Sequence, residues 1–121
     1  MDKLLSGRRV LVVEDEMMIL MMIEDMLADL GCEAVTAAAS VDQALALIDE
    51  QVFDAAMLDL NLNGNKSLAV AAALATRDMP FFFTTGYTGH DTREDYRDRP
   101  LLKKPFQYEE LMEMFTRVLP R

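Results

Sequence analysis

The chain has little cysteine and little histidine, the residues on which disulfide-rich and transition-metal proteins depend. Cys32 is its one cysteine and His90 its one histidine, in 121 residues. A single cysteine excludes a disulfide framework and a cysteine-based zinc site, and it fits a reducing cytoplasm. A single histidine excludes a histidine cluster for a transition metal. We expect His90 to be an exposed loop residue.

Basic residues are also scarce, since 12 Lys and Arg stand against 21 Asp and Glu and the net charge is −9. This balance argues against direct binding to DNA, which requires a basic face, and against binding to anionic membranes. No apolar run approaches the ~20 residues of a membrane-spanning helix, and no signal peptide opens the chain. We therefore expect a cytoplasmic protein that binds neither DNA nor a membrane.

The length and the composition suit one hydrophobic core. About half of the residues are hydrophobic (51%), and we find no linker, internal repeat or second core pattern. A chain of this size buries enough surface to fold alone. We expect a single domain over residues 1–121 without an output domain.

Apolar segments typical of strands alternate with amphipathic segments typical of helices. The predicted strands cover residues 10–13, 32–36, 53–58, 80–84 and 101–103. The predicted helices cover residues 17–30, 41–50, 67–76 and 108–119. Such alternation predicts βαβ units with a parallel sheet, and five strands fit the flavodoxin-like (βα)5 three-layer α/β sandwich in order 2-1-3-4-5. Residues 86–100 have no clear amphipathic period, so the fourth helix is expected to be short or disordered.

Several helix features can be predicted from local patterns. Gly31 has the position of a C′ glycine that ends the first helix, and Ser40 with Gln43 forms a capping-box pattern. The second and last helices each have one apolar face, formed by Val41, Ala44, Leu45 and Ile48 and by Leu111, Met114, Phe115 and Val118. In the first helix, Met18, Met22 and Met26, or a nearby stripe, would pack on the sheet. A helix this apolar is also a candidate for an interface.

Polar residues follow the strands that the predicted order places side by side. The first strand is followed by Glu14 and Asp15, and the third by Asp59. Like charges at ~4 Å repel by roughly 4 kcal/mol at an effective dielectric near 20, and a hard divalent cation such as Mg²⁺ relieves this repulsion. The fourth and fifth strands end on Thr84 or Thr85 and on Lys103 or Lys104. The sequence therefore predicts a metal beside a reactive aspartate.

Each of these groups has a role if Asp59 attacks a phosphorus atom. Glu14 and Asp15, with the backbone carbonyl of Asn61, would join Asp59 in holding the metal. Lys104 would pair with a second phosphoryl oxygen, and the hydroxyl of Thr85 would donate to a third. Glu16 is expected only to begin the first helix, and Lys103 to point away.

The chain resembles a bacterial two-component response-regulator receiver domain. The matching residues are 11–16, 58–60, 85–86 and 104–106, in order on the predicted strand ends. The resemblance implies that Asp59 accepts a phosphoryl group from a histidine of a sensor histidine kinase or a histidine phosphotransfer protein. It also implies Mg²⁺ as cofactor, a cis bond before Pro105, a Thr85 hydroxyl that swings toward the phosphoryl group, and no separate enzyme activity. A downstream regulator is a further expected partner, and the chain is expected to be a monomer or weak dimer.

Residues 80–87 resemble the Pro-Phe-x-Phe-Ala-Thr-Gly stretch of the FAT GUY receiver subgroup. Members are often single-domain regulators or partners of HWE-type kinases, and they tend to lack a well-formed fourth helix. Thr84 replaces the subgroup's alanine, and Leu101 stands where most receivers have a switch aromatic. The turn of residues 61–64 replaces the usual Met-Pro-x-x-Gly turn, and Tyr87 lies where it would shield the phosphoryl site or pack in its loop.

Three functions stay open at this point. The leading hypothesis is a stand-alone phosphoacceptor that switches partner binding or acts as a phosphate sink. A second is a Mg²⁺-dependent phosphohydrolase of the haloacid-dehalogenase type, although Asn61 stands where that mechanism needs a general acid. A third is a degenerate receiver that binds partners irrespective of phosphorylation.

Overall fold

The computed structural model describes residues 3–62, 65–86 and 99–120, except for the side chains of Asn61, Asn65 and Lys66. The strands are β1 Arg9–Val13, β2 Ala34–Ala38, β3 Ala55–Asp59, β4 Asn61–Leu62, β5 Asn65–Lys66, β6 Phe81–Thr85 and β7 Leu101–Lys103. The helices of the described part are α1 Met17–Asp29, α2 Val41–Glu50, α3 Leu68–Thr76 and α4 Tyr108–Val118. The predictions for residues 87–98, including Tyr87 and His90, lie outside the described residues.

The main sheet is parallel and has five strands in the order β2-β1-β3-β6-β7. Counted along the chain without β4 and β5, this is the predicted order 2-1-3-4-5, which is confirmed. Parallel pairing brings the carboxyl ends of the strands to one edge: Asp59 lies opposite Thr84, and Thr85 lies opposite Lys103. Residues 61–65, expected as a polar turn, overlap a short antiparallel pair of strands, β4 with β5.

Side chains that alternate along the strands fill two core layers, one on each face of the sheet. Val10 and Val12 of β1 face the layer that includes α1 and α4, and Leu11 and Val13 face the layer that includes α2 and α3. On α2, Ala44 and Ile48 are buried, and Val41 and Leu45 are packed against the core. On α4, Leu111, Met114 and Phe115 are buried, and Val118 is partly buried. The apolar faces predicted for both helices are confirmed.

Helix α1 buries a neighbouring stripe rather than the methionines. Leu20, Ile23 and Leu27 pack into the core, whereas Met18 is 85% exposed and Met26 is partly buried. Because nearly all sides of the helix are apolar, its period alone did not determine which side faces the sheet. Four of the five methionines of α1 are exposed. We call them the methionine surface: Met17, Met18, Met21 and Met22.

The end of α1 explains why β2 begins later than predicted. Gly31, with φ +88°, donates to the carbonyl of Ala28 (3.0 Å), and the next amide, that of Cys32, donates to Leu27 (3.0 Å). These two bonds form the Schellman motif, which confirms Gly31 as the C′ residue. They also use the Cys32 amide, so pairing with β1 begins only at Ala34.

The capping box of α2 is present with one difference. The Ser40 hydroxyl accepts from the amide of Gln43 (3.1 Å), as predicted. The Gln43 side chain accepts from the amide of Ala39 (2.8 Å), whereas a capping box uses the amide of the N-cap residue, here Ser40. No helix in the described part of the chain is long and apolar enough to span a membrane.

We predict that Gly31→Ala destabilises the fold by about 1–2 kcal/mol, because an L residue is strained at positive φ. The new Cβ would also lie 2.8 Å from the Cβ of Lys3. Urea unfolding measures the loss. Gly7→Ala is the matched control for backbone strain alone, since Gly7 also has a positive φ of +72° but open space around its Cβ position. A Gly31→Ala protein no less stable than Gly7→Ala would contradict the added cost of the contact with Lys3.

Candidate functional site

The predicted site residues lie at the carboxyl edge of the sheet, and we call them the strand-end cluster: Glu14, Asp15, Asp59, Thr85 and Lys104. Glu14, Asp59 and Thr85 are buried, whereas Asp15 and Lys104 are partly exposed. The structure thus brings together residues from the ends of four strands that are far apart in the chain.

Backbone hydrogen bonds fix the positions of these residues beyond the strands themselves. The amide of Glu14 donates to the carbonyl of Ala38 (2.9 Å), and the amide of Lys104 donates to that of Thr85 (2.8 Å). The amide of Leu60, directly after Asp59, donates to the carbonyl of Thr84 (2.9 Å). The sheet ladder therefore continues into the cluster and holds its main chain in place.

Lys104 connects two of the acids. Its ammonium donates to Oε1 of Glu14 at 2.8 Å and to Oδ2 of Asp59 at 3.0 Å. The Lys104–Pro105 peptide bond is cis, as the resemblance implies. Lys103, the preceding residue, is exposed, as the alternation of the strand predicts. The lysine side chain is only 10% exposed, so these are charge-assisted bonds with little solvent screening.

The carboxylates of Glu14, Asp15 and Asp59 form the group that suits a hard cation. One oxygen from each lies within 4.8 Å of the others. Three carboxylates against one ammonium leave an excess of negative charge, and Mg²⁺ prefers carboxylate oxygens together with water. The donor set therefore fits Mg²⁺. The backbone carbonyl of Asn61 as a further ligand stays a prediction.

The surroundings of Glu14 favour its protonated form. Burial raises its pKa to about 7, and the negative charge of Asp59 acts in the same direction. The hydrogen bonds from Lys104 and from the amide of Glu16 (3.2 Å) act against this rise. For Lys104, burial disfavours the charge, but the bonds to Glu14 and Asp59 outweigh it and raise the lysine pKa. Glu16 is the N-cap residue of α1, and its amide donates to the Glu14 carboxylate.

Two further buried polar residues, Thr84 and Ser67, are linked to the cluster by backbone hydrogen bonds to Leu60, the residue after Asp59. Thr84 is buried and is paired with Asp59 in the sheet register. Ser67 is fully buried directly before α3, although no site role was predicted for it. A serine before a helix predicts an ordinary N-cap, so its burial gave no sequence signal.

We predict that Glu14 makes the stability of the metal-free protein depend on pH. A carboxyl whose pKa is raised by folding holds a proton that the unfolded chain has released, so the free energy of unfolding falls as pH rises from about 4.5 to about 7. Glu14→Gln removes this contribution because glutamine does not titrate. Urea unfolding in a chelator across this range gives both slopes. Identical slopes in the two proteins would contradict the raised pKa.

The comparisons with known proteins agree with this geometry. The chain belongs to the response regulator receiver domain family, whose model matches residues 10–116. This family consists of signalling modules rather than classical enzymes, and it binds Mg²⁺ in its acidic pocket. No curated protein matches the chain. The predicted family and fold are confirmed.

Three solved structures illustrate the similarity. The solution structure of SdrG from Sphingomonas melonis Fr1 is 44% identical, with a TM-score of 0.79, over 90% of this chain and 93% of that one. The BeF3-activated conformation of SdrG, from Pseudomonas melonis Fr1, is 43% identical, with a TM-score of 0.77, over 92% and 95%. The receiver domain of sensor histidine kinase PA1611 from Pseudomonas aeruginosa PAO1, with a magnesium ion in its active-site cleft, is 28% identical, with a TM-score of 0.81, over 93% and 98%.

Proposed function

We propose that this chain accepts a phosphoryl group on Asp59 from a phosphohistidine of a partner protein, in a Mg²⁺-dependent reaction. The carrying observation is the placement of Asp59, buried at 6% exposure and hydrogen-bonded to Lys104 among the acids Glu14 and Asp15. A carboxylate in this position has a fixed orientation, is screened from bulk water and lies next to the ammonium of Lys104.

The chemistry follows from the charges of the cluster. A carboxylate oxygen of Asp59 forms a bond to phosphorus while the phosphorus–nitrogen bond of the phosphohistidine breaks, and its electron pair stays on the imidazole. The oxygens of the transferring group require positive charge and hydrogen-bond donors. Lys104 supplies an ammonium 3.0 Å from Asp59, and Thr85 supplies a hydroxyl at the end of the adjacent strand.

The metal site of this proposal consists of Glu14, Asp15, Asp59 and the backbone carbonyl of Asn61. When bound there, Mg²⁺ would neutralise charge on a phosphoryl oxygen and relieve the repulsion among the carboxylates. The magnesium in the cleft of the PA1611 receiver supports this assignment. The BeF3-activated conformation of SdrG supports activation of the present chain by a phosphoryl group.

The methionine surface suits the docking of a histidine-bearing partner. It lies on α1, which directly follows Glu14 and Asp15 in the chain. A small cavity of about 240 Å³ is lined by Met22 and Ile19 of α1 together with Lys104 and Pro105. Exposed methionines adapt to different apolar partners. We therefore assign this side to a sensor histidine kinase or a phosphotransfer protein, with a downstream regulator bound after phosphorylation.

The test is incubation with acetyl phosphate and Mg²⁺, followed by intact-mass measurement. The wild type should gain one phosphoryl group, and the gain should disappear in Asp59→Asn and on chelation of Mg²⁺. Asp54→Asn is the matched control, because Asp54 precedes the same strand at the opposite edge, where it accepts a hydrogen bond from the Arg9 amide and pairs with the Arg8 side chain.

Two outcomes would contradict the proposal. An unmodified wild type would favour a receiver that binds partners irrespective of phosphorylation. A phosphoryl group retained in Asp59→Asn would place the acceptor elsewhere.

A further inference from the structure

Ser67 differs from the other helix-capping serine of this chain. Ser40 precedes α2, and its hydroxyl accepts a hydrogen bond from the Gln43 amide at 3.1 Å. Ser67 precedes α3 in the same position, but its side chain makes no cap bond. Ser67 is 0% exposed, and its Oγ has no hydrogen-bond partner among the described residues.

An unpaired buried hydroxyl is unfavourable, because the group has lost its water without gaining another partner. Alanine would have nearly the same volume without this desolvation penalty. The stability of the state described here therefore does not account for a serine at position 67. A second state in which the hydroxyl is paired does account for it.

The backbone of Ser67 connects this hydroxyl to the phosphoacceptor. The Ser67 amide donates to the carbonyl of Leu60 at 3.2 Å, and the Leu60 amide donates to the carbonyl of Thr84 at 2.9 Å. Leu60 directly follows Asp59, and Thr84 lies opposite Asp59 in the sheet. Ser67 thus closes the loop that contains β4, β5 and the Asn61 carbonyl.

We infer that Ser67 is a positioning residue whose hydroxyl pairs with the backbone of β4 or of β5 only when the site holds its cation and its phosphoryl group. This inference rests on the proposed function. In the empty state the hydroxyl is unpaired, and in the loaded state it fixes the segment that presents the Asn61 carbonyl. Ser67 then makes the loaded state more favourable relative to the empty state, without contacting the phosphoryl group itself.

The test compares wild type with Ser67→Ala in two measurements. The first is the urea midpoint of the metal-free protein, which should stay the same or rise in the variant. The second is the apparent Kd for beryllofluoride at saturating Mg²⁺, followed by amide NMR. This Kd should be about fivefold higher in the variant, which is the equivalent of one net hydrogen bond.

Ser40→Ala is the matched control. Loss of the Ser40 cap should lower the urea midpoint and leave the beryllofluoride Kd unchanged, because that cap bond is made equally in both states. Equal Kd values for wild type and Ser67→Ala would overturn the inference. A lower metal-free midpoint in Ser67→Ala would also overturn it, since the hydroxyl would then be paired in the empty state. A wild type that binds no beryllofluoride would instead contradict the proposed function.

Discussion

The site depends on the two hydrogen bonds by which the ammonium of Lys104 joins the carboxylates of Glu14 and Asp59. Both acids are buried, and removing one partner of a buried ion pair typically costs about 3–5 kcal/mol, because a charge is left without compensation. One ammonium does not balance the acids of the cluster, even when Glu14 holds a proton, so the cluster retains an attraction for a cation. The same lysine therefore stabilises the empty site and leaves it suited to a metal.

The sheet, rather than the loops, places the three residues of this interaction within hydrogen-bonding distance of one another. Glu14, Asp59 and Lys104 follow or end three different strands, and backbone hydrogen bonds continue the ladder through Glu14, Leu60 and Lys104. Core layers on both faces of the sheet hold these strands in register. The packed core fixes the main chain at the strand ends. The acids therefore stay close together despite their mutual repulsion.

The sheet order and the cluster could be predicted because their signals are local. Apolar runs that end on Glu14, Asp59 and Lys104 mark strand ends, and the parallel order then places those ends together. The face of α1 and the burial of Ser67 could not be predicted in this way. A helix that is apolar on nearly all sides has no period that selects one of them, and a serine before a helix has the same pattern whether its hydroxyl caps or not. Tertiary packing determines which side of α1 faces the sheet and whether the Ser67 side chain is buried.

The most direct test of the proposed cation site in the strand-end cluster is an amide NMR titration of the wild type, first with Mg²⁺ and then with beryllofluoride. We predict that Mg²⁺ alone shifts the amides of Glu14, Asp15 and Asp59. Beryllofluoride should then extend the changes to Thr85 and Lys104. Shifts centred elsewhere, or no response of the Asp59 amide to either addition, would contradict the account.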